Sequence, residues 1–162
     1  MTHLMLESGY IDKKRERPRP PPKHKLYAVH SQSSMLNHFS HSELACPTTG
    51  QVGLASDFAE ALERLRVELD EPIYLTSACR SPMHNAKVRG HPRSLYLIVN
   101  DHWGTGGTCA VDVAATDGQY RAKLVALALA QEWSLGVASN FIHLDQRSCH
   151  CGLPQVVHHY GR

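Results

Sequence analysis

Apolar side chains recur at helical spacing in two stretches of the chain. The first stripe, within residues 54–69, consists of Leu54, Phe58, Ala61, Leu62, Leu65 and Leu69. Apolar residues three or four positions apart lie on one face of a helix, so this stripe predicts an amphipathic helix packed on a core. A second helix is predicted over residues 120–133, where a wide apolar face is made by Leu124, Leu127, Ala128 and Leu129.

Shorter apolar runs rich in β-branched and aromatic residues predict strands. These runs cover residues 72–76, 95–99, 109–115 and 141–144, and a Gly-rich loop at 100–108 separates the second run from the third. A short helix is predicted at 85–88, after a Ser-Pro pair. Two principal helices and several short strands together predict an α+β domain with a small mixed or antiparallel sheet.

The composition of the first 34 residues differs from that of the rest. This stretch contains a run of three basic residues and a Pro-rich segment, Pro18-Arg19-Pro20-Pro21-Pro22. Proline lacks a backbone donor and fixes φ, so we expect a disordered basic tail over residues 1–34. The domain is predicted to span residues 35–157, followed by a short C-terminal tail, 158–162.

Charge and cysteine content narrow the functional classes. A formal net charge of +2 in 162 residues gives no reason to expect a nucleic-acid partner. We also expect the protein to be a monomer. Five cysteines at irregular spacing make a poor disulfide framework, which favours reduced thiols. No apolar run approaches the ~18–20 residues of a membrane span, and the N-terminus lacks the apolar core of a secretory signal, so we expect cytoplasmic synthesis.

Three short motifs carry the candidate chemistry. In chain order they are Ser77-Ala78-Cys79-Arg80-Ser81-Pro82-Met83-His84-Asn85, then Ala110-Val111-Asp112-Val113, then Phe141-Ile142-His143-Leu144-Asp145. In this order and spacing they resemble the M15 zinc peptidases, the family of D-Ala-D-Ala carboxypeptidases and endolysins that cut bacterial wall peptides. The resemblance implies a hedgehog/DD-peptidase type of α+β fold, a zinc cofactor and a peptidoglycan peptide as substrate.

The resemblance implies two zinc ligands and leaves a third in question. Asp112 and His143 fall on the second and third ligand positions of the family, whereas Tyr96, in Ser94-Leu95-Tyr96, stands where the first histidine is expected. A catalytic zinc usually has three protein ligands and an open position for water. Three alternatives follow: His102, in the Gly-rich loop, supplies the missing ligand; Tyr96 binds as a phenolate; or the site has degenerated.

The remaining candidate residues surround these positions. Asp145 lies two residues after His143 and therefore on the same strand face, where it can act as base, orient water or support the ligand. The resemblance implies that Arg80 anchors a peptide carboxylate or carbonyl, a task that suits a guanidinium. His84 is expected to brace the motif's turn. Near the C-terminus, residues Cys149, Cys151, His158 and His159 are metal-capable, but their spacing matches no zinc finger.

The motifs and the residue at position 96 are compatible with two functions. The first is zinc-dependent hydrolysis of a peptidoglycan stem peptide, at either a D-Ala-D-Ala or an L-Ala-D-Glu bond, by a phage or prophage endolysin-like enzyme that reaches the wall after release. The second is a non-enzymatic wall-peptide-binding or structural relative that has lost the first zinc ligand. The identity of the group at position 96 distinguishes them.

Overall fold

A mixed five-stranded sheet lies at the centre of the protein. The computed structural model describes residues 36–160, so the predicted tail at 1–34 lies outside the described residues. The described part contains these elements, in chain order: α1 (His41–Leu44), α2 (Ser56–Leu69), β1 (Leu75–Ser77), α3 (Pro82–Lys87), β2 (Ala110–Ala114), α4 (Gly118–Ala130), β3 (Ser134–Val137), β4 (Phe141–Asp145), α5 (Arg147–Cys151) and β5 (Val157–His159). The α+β prediction is confirmed.

Strand pairing places the three motifs side by side. The strand order is β1-β2-β4-β3-β5, with antiparallel pairs except for the parallel pair β3–β5. Asp112 of β2 pairs directly with His143 of β4, and Ser77 of β1 pairs with Asp112 on its other side. Because side chains alternate between the faces of a strand, these residues share one face and Val111, Val113, Ile142 and Leu144 share the other.

The opposite face of the sheet packs against the two predicted helices. The apolar stripe of α2 is buried, and Phe58 makes an edge-to-face contact with Trp133 at 5.5 Å between ring centroids. Leu124 and Ala128 of α4 are also fully buried. Both helices match the prediction closely, since each begins and ends within a few residues of the predicted bounds.

Local hydrogen bonds explain where the helices near the site begin. Ser81 is the N-cap of α3, and its hydroxyl accepts a hydrogen bond from the backbone of His84. Proline at the first position of α3 needs no hydrogen-bond acceptor, which moves the helix start to Pro82, earlier than the predicted residue 85. Asp117 caps α4 in the same way, through the backbone of Tyr120.

The predicted strand at 95–99 is wrong. This segment forms turns and makes one isolated bridge, between Arg80 and Leu97. The carbonyl of Tyr96 accepts hydrogen bonds from the Arg80 backbone and from the Thr108 hydroxyl, at 2.7 and 2.8 Å. Tertiary hydrogen bonds rather than a strand ladder therefore hold this apolar run, which periodicity alone does not distinguish from a strand.

Four further elements were not predicted. They are α1, near the start of the described residues, and β3, α5 and β5 in the C-terminal part of the chain. Strand β5 includes His158 and His159, which the sequence analysis assigned to a tail beyond residue 157. No helix within residues 36–160 is long and apolar enough to cross a membrane.

Candidate functional site

Asp112 and His143 meet at the middle of the sheet. Their side chains lie on the face opposite the core, with His143 Nδ1 3.0 Å from Asp112 Oδ1. Asp112 is 8% exposed and His143 is 4% exposed, so neighbouring residues shield both from most of the solvent. The antiparallel register of β2 and β4 fixes this proximity, because directly paired residues lie close together on the same face.

The hydroxyl of Tyr96 occupies the space between these two residues. It donates a short hydrogen bond to Asp112 Oδ1 and lies 2.5 Å from His143 Nδ1. The tyrosine is 5% exposed, and its ring is covered by the Arg80 guanidinium, whose Cζ is 3.7 Å from the ring centroid. This contact has the geometry of a cation–π interaction. The residue at the first ligand position therefore does reach the site, from an irregular segment rather than from a strand.

Asp145 lies behind His143 instead of facing the solvent. Its side chain is fully buried and accepts a hydrogen bond from His143 Nε2 at 3.0 Å. Arg147 binds the same carboxylate through Nη2 at 2.6 Å and Nε at 2.8 Å. Of the three roles considered for Asp145, this arrangement fits support of the imidazole, because Arg147 and His143 already occupy both carboxylate oxygens.

The protonation states in this cluster follow from its hydrogen bonds. Burial disfavours a charged imidazole, but hydrogen bonds to Asp112 and Asp145 outweigh it and raise the pKa of His143. Burial of Asp145 is likewise outweighed by hydrogen bonds from Arg147 and His143, which lower its pKa to about 2. Burial and the neighbouring Asp112 carboxylate raise the pKa of Tyr96 well above its usual value. The cluster thus favours an imidazolium that donates from both nitrogens and a neutral phenol.

Arg80 connects this cluster to a cavity of about 680 Å³. Its Nη2 and Nε donate to the Ser77 hydroxyl at 2.9 and 3.2 Å, and Nη2 lies 3.8 Å from Asp112 Oδ2. The cavity runs along β1 between α1 and α3, and its lining consists of Ser42, Glu43, Ala45, Pro47, Leu75, Thr76, Ser77, Ala78, Arg80, His84 and Val88. A ligand in this cavity would meet the guanidinium beside the cluster.

The other sequence candidates lie apart from the cluster or brace the fold. His102 is exposed in its loop, where Nε2 lies 3.3 Å from an Arg93 nitrogen and the ring packs edge-on against Trp103. His84 lines the cavity and shares a 2.7 Å hydrogen bond with the Thr48 hydroxyl, consistent with a bracing role.

The donor set does not fit a catalytic zinc. Within residues 36–160, no three His, Cys, Asp or Glu side chains are grouped so that they could hold a metal ion, and this covers the Cys149, Cys151, His158 and His159 set. A zinc ion between Asp112 and His143 would have to displace the Tyr96 hydroxyl and the proton on His143 Nδ1. Such a site needs deprotonated ligands, whereas the Tyr96 hydroxyl carries its proton and donates it to Asp112 Oδ1.

Two residues near the cluster, Arg147 and Tyr160, were not predicted, and His158 was named only as part of a separate metal-capable set. His158 and Tyr160 pack their rings 6.1 and 5.6 Å from that of His143. Arg147 follows Asp145 by only two residues, and this spacing could have indicated that the two side chains pair. No local pattern placed His158 or Tyr160 beside His143, because the parallel pairing of β5 with β3 brings them there.

Comparison with known proteins identifies the family of this chain. Searches of curated proteins and of solved structures gave no match. The sequence model of one family, Peptidase M15, matches residues 37–145, which is about two thirds of the chain. The matched span includes Arg80, Tyr96, Asp112, His143 and Asp145, and it ends before α5 and β5. M15 peptidases are generally zinc-dependent. The protein described here belongs to the peptidase M15 family.

Proposed function

We propose that this protein binds peptidoglycan stem peptides in the cavity beside Arg80 without hydrolysing them efficiently through zinc. The observation that carries the proposal is the Tyr96 hydroxyl, which hydrogen-bonds Asp112 and lies 2.5 Å from His143 Nδ1, between the two remaining ligand positions. A neutral phenol there supplies a hydrogen bond but not the charge of a metal ion. The family's peptide-binding surface can persist while the hydrolytic centre is lost.

The cavity has the chemistry that a stem peptide requires. Such peptides carry free carboxylates and, at a diamino acid, an ammonium group. Arg80 offers a guanidinium suited to a carboxylate, and Glu43, whose Oε2 is bonded to Ser40, also lines the cavity and keeps Oε1 for an amine. Pro47, Leu75 and Val88 add apolar surface to the lining. A lining with both signs of charge and apolar surface suits an extended peptide better than a uniformly charged polymer.

The second candidate is zinc-dependent hydrolysis of the same peptides by a phage or prophage endolysin-like enzyme. It is favoured by the adjacency of Asp112 and His143, whose side chains are 3.0 Å apart on neighbouring strands. In this version Asp112, His143 and an ionised Tyr96 would hold the zinc ion, which would polarise the scissile carbonyl and activate a water molecule. Ligation by His102 requires a larger rearrangement, because its ring is engaged with Arg93 and Trp103.

Calorimetric titration with a synthetic stem pentapeptide ending in D-Ala-D-Ala tests the first candidate. We expect the wild type to bind and Arg80→Lys to weaken binding roughly tenfold, since lysine lacks the planar fork of arginine. Arg64→Lys on the exposed side of α2 is the matched control and should bind like the wild type. Absence of binding by the wild type would refute the proposal.

Digestion of purified peptidoglycan separates the two candidates. The wild type is incubated with wall material with and without added zinc, and released peptides are measured by mass spectrometry. The first candidate predicts peptide binding with no zinc-stimulated release. Zinc-stimulated release that is abolished by His143→Ala would establish the second candidate instead.

A further inference from the structure

The C-terminal strand β5 adds residues to the site from outside the span that matches the family. β5 pairs in parallel with β3, where Gly136 lies opposite His158, and the same Gly136 lies opposite His143 of β4. Together with Asp112, these residues form one row across four strands on the face opposite the core. The row therefore continues from the cluster to the edge of the sheet.

Gly136 makes room for two rings above this row. A methyl group at Gly136 would lie 2.7 Å from His158 Nε2 and closer still to the ring of Tyr160, well inside van der Waals contact. With hydrogen at this position, Tyr160 lies 5.1 Å from the His158 ring and 5.6 Å from the His143 ring, measured between centroids. The absence of a side chain on β3 is thus what allows β5 to deliver its rings to His143.

Tyr160 remains accessible while it borders the cluster. It is 40% exposed, and its backbone donates to the carbonyl of Val137 at 2.9 Å, which anchors the residue to β3. A phenol carries its proton at neutral pH, so the Tyr160 hydroxyl can donate a hydrogen bond. Arg80 follows β1 at one end of the strand order and Tyr160 follows β5 at the other, so the two flank the cluster.

We propose that the peptide site extends beyond the cavity at Arg80, across the Asp112–His143 row, and that Tyr160 and His158 form its second wall there. A peptide that lies across the Asp112–His143 row, with its carboxylate at Arg80, then rests against the Tyr160 ring and accepts a hydrogen bond from its hydroxyl. A partly exposed tyrosine offers both a flat apolar surface and a polar tip, a combination common where proteins contact peptides. This inference rests on the proposed peptide binding and adds the residues that define its far side.

Titration of variants with the same stem pentapeptide tests the wall. We expect Tyr160→Ala to weaken binding roughly tenfold and Tyr160→Phe by a smaller factor, because phenylalanine keeps the ring but loses the donor. Tyr74→Ala, at an exposed tyrosine 65% accessible to solvent, is the matched control and should bind within about twofold of the wild type. Thermal unfolding of each variant checks the fold, and Tyr160→Phe alone decides the result if Tyr160→Ala does not fold.

Gly136→Ala gives an independent readout, because this residue contacts no ligand in the proposed site. The added methyl group should displace both rings and weaken peptide binding by a factor similar to that of Tyr160→Ala. Gly118→Ala is its control, since a methyl group at the start of α4 meets open space. If Arg80→Lys weakens binding while Tyr160→Ala and Gly136→Ala do not, the second wall is refuted and peptide binding stands. If the wild type does not bind the peptide, both proposals fail.

Discussion

The β2–β4 pair and the segment around Tyr96 bring side chains to the same cluster by different means. The two strands are joined by five consecutive residue pairs, which fix Asp112 beside His143 through backbone geometry alone. Tyr96 lies in a turn-rich segment, and its carbonyl is held by the Arg80 backbone and the Thr108 hydroxyl. The positions of Asp112 and His143 are therefore set by a strand ladder, and the position of Tyr96 by individual tertiary hydrogen bonds.

This difference explains how a family fold can be kept while its chemistry changes. The ladder places two ligand positions together whatever lies between them. The side chain at position 96 decides whether that space suits a metal ion or a hydroxyl. A single residue can therefore alter the site without altering any strand or helix.

The largest loss in the free energy of unfolding is expected from removing the Asp145 carboxylate, which binds His143 of the β2–β4 pair. Asp145→Ala leaves the His143 imidazolium and the partly buried Arg147 guanidinium without their shared carboxylate. Removing one partner of a buried ion pair costs about 3–5 kcal/mol, so we expect a loss of that size in the free energy of unfolding, measured with urea. Glu71→Ala removes an exposed partner of Lys123 and should cost less than ~1 kcal/mol. Equal losses in the two variants would show that Asp145 does not support the cluster.

A smaller loss in the free energy of unfolding is expected from removing the Tyr96 hydroxyl in the turn-rich segment. Tyr96→Phe keeps the ring under Arg80 but removes the hydroxyl that Asp112 and His143 share. Because those two residues still contact each other, we expect a loss of about 1–3 kcal/mol in the free energy of unfolding. Tyr120→Phe, which removes an exposed hydroxyl bonded to the Pro72 carbonyl, is the control and should cost ~1 kcal/mol or less. A Tyr96→Phe protein as stable as the wild type would contradict the proposed role of the hydroxyl.

The contrast between these regions also separates what the sequence could predict from what it could not. Apolar runs predicted the strands that carry Asp112 and His143, the spacing of two residues predicted that Asp145 would share the face of His143, and periodicity predicted α2 and α4. The apolar run 95–99 looked like a strand, yet its hydrogen bonds go to distant residues. The position of Tyr160 depends on a parallel pairing between β3 and β5 and on the missing side chain of Gly136, and neither leaves a local pattern.

The smallest change in the free energy of unfolding is expected from raising the pH, since this removes one proton from His143 rather than a side chain. The pKa of His143 is raised in the folded protein, so its contribution to stability is fully present below the unfolded value of ~6.5 and is lost as pH rises through the folded value. Urea unfolding of the wild type between pH 6 and 9 should show this loss. His143→Gln cannot titrate and should lack that part of the slope. Identical slopes for the two proteins would mean that His143 is not protonated in the cluster.

We propose that the Tyr96 hydroxyl fills the space between Asp112 and His143 that a zinc ion would take. The most direct measurement is zinc affinity, obtained by competition with a chelator, for the wild type and for Tyr96→His, with Tyr96→Phe and His102→Ala as controls. We predict weak binding by the wild type, unchanged in His102→Ala. Tyr96→His should bind one zinc ion per chain at least tenfold more tightly, a gain of about 1.4 kcal/mol or more. Stoichiometric zinc in the wild type, held as tightly as in Tyr96→His, would contradict the account.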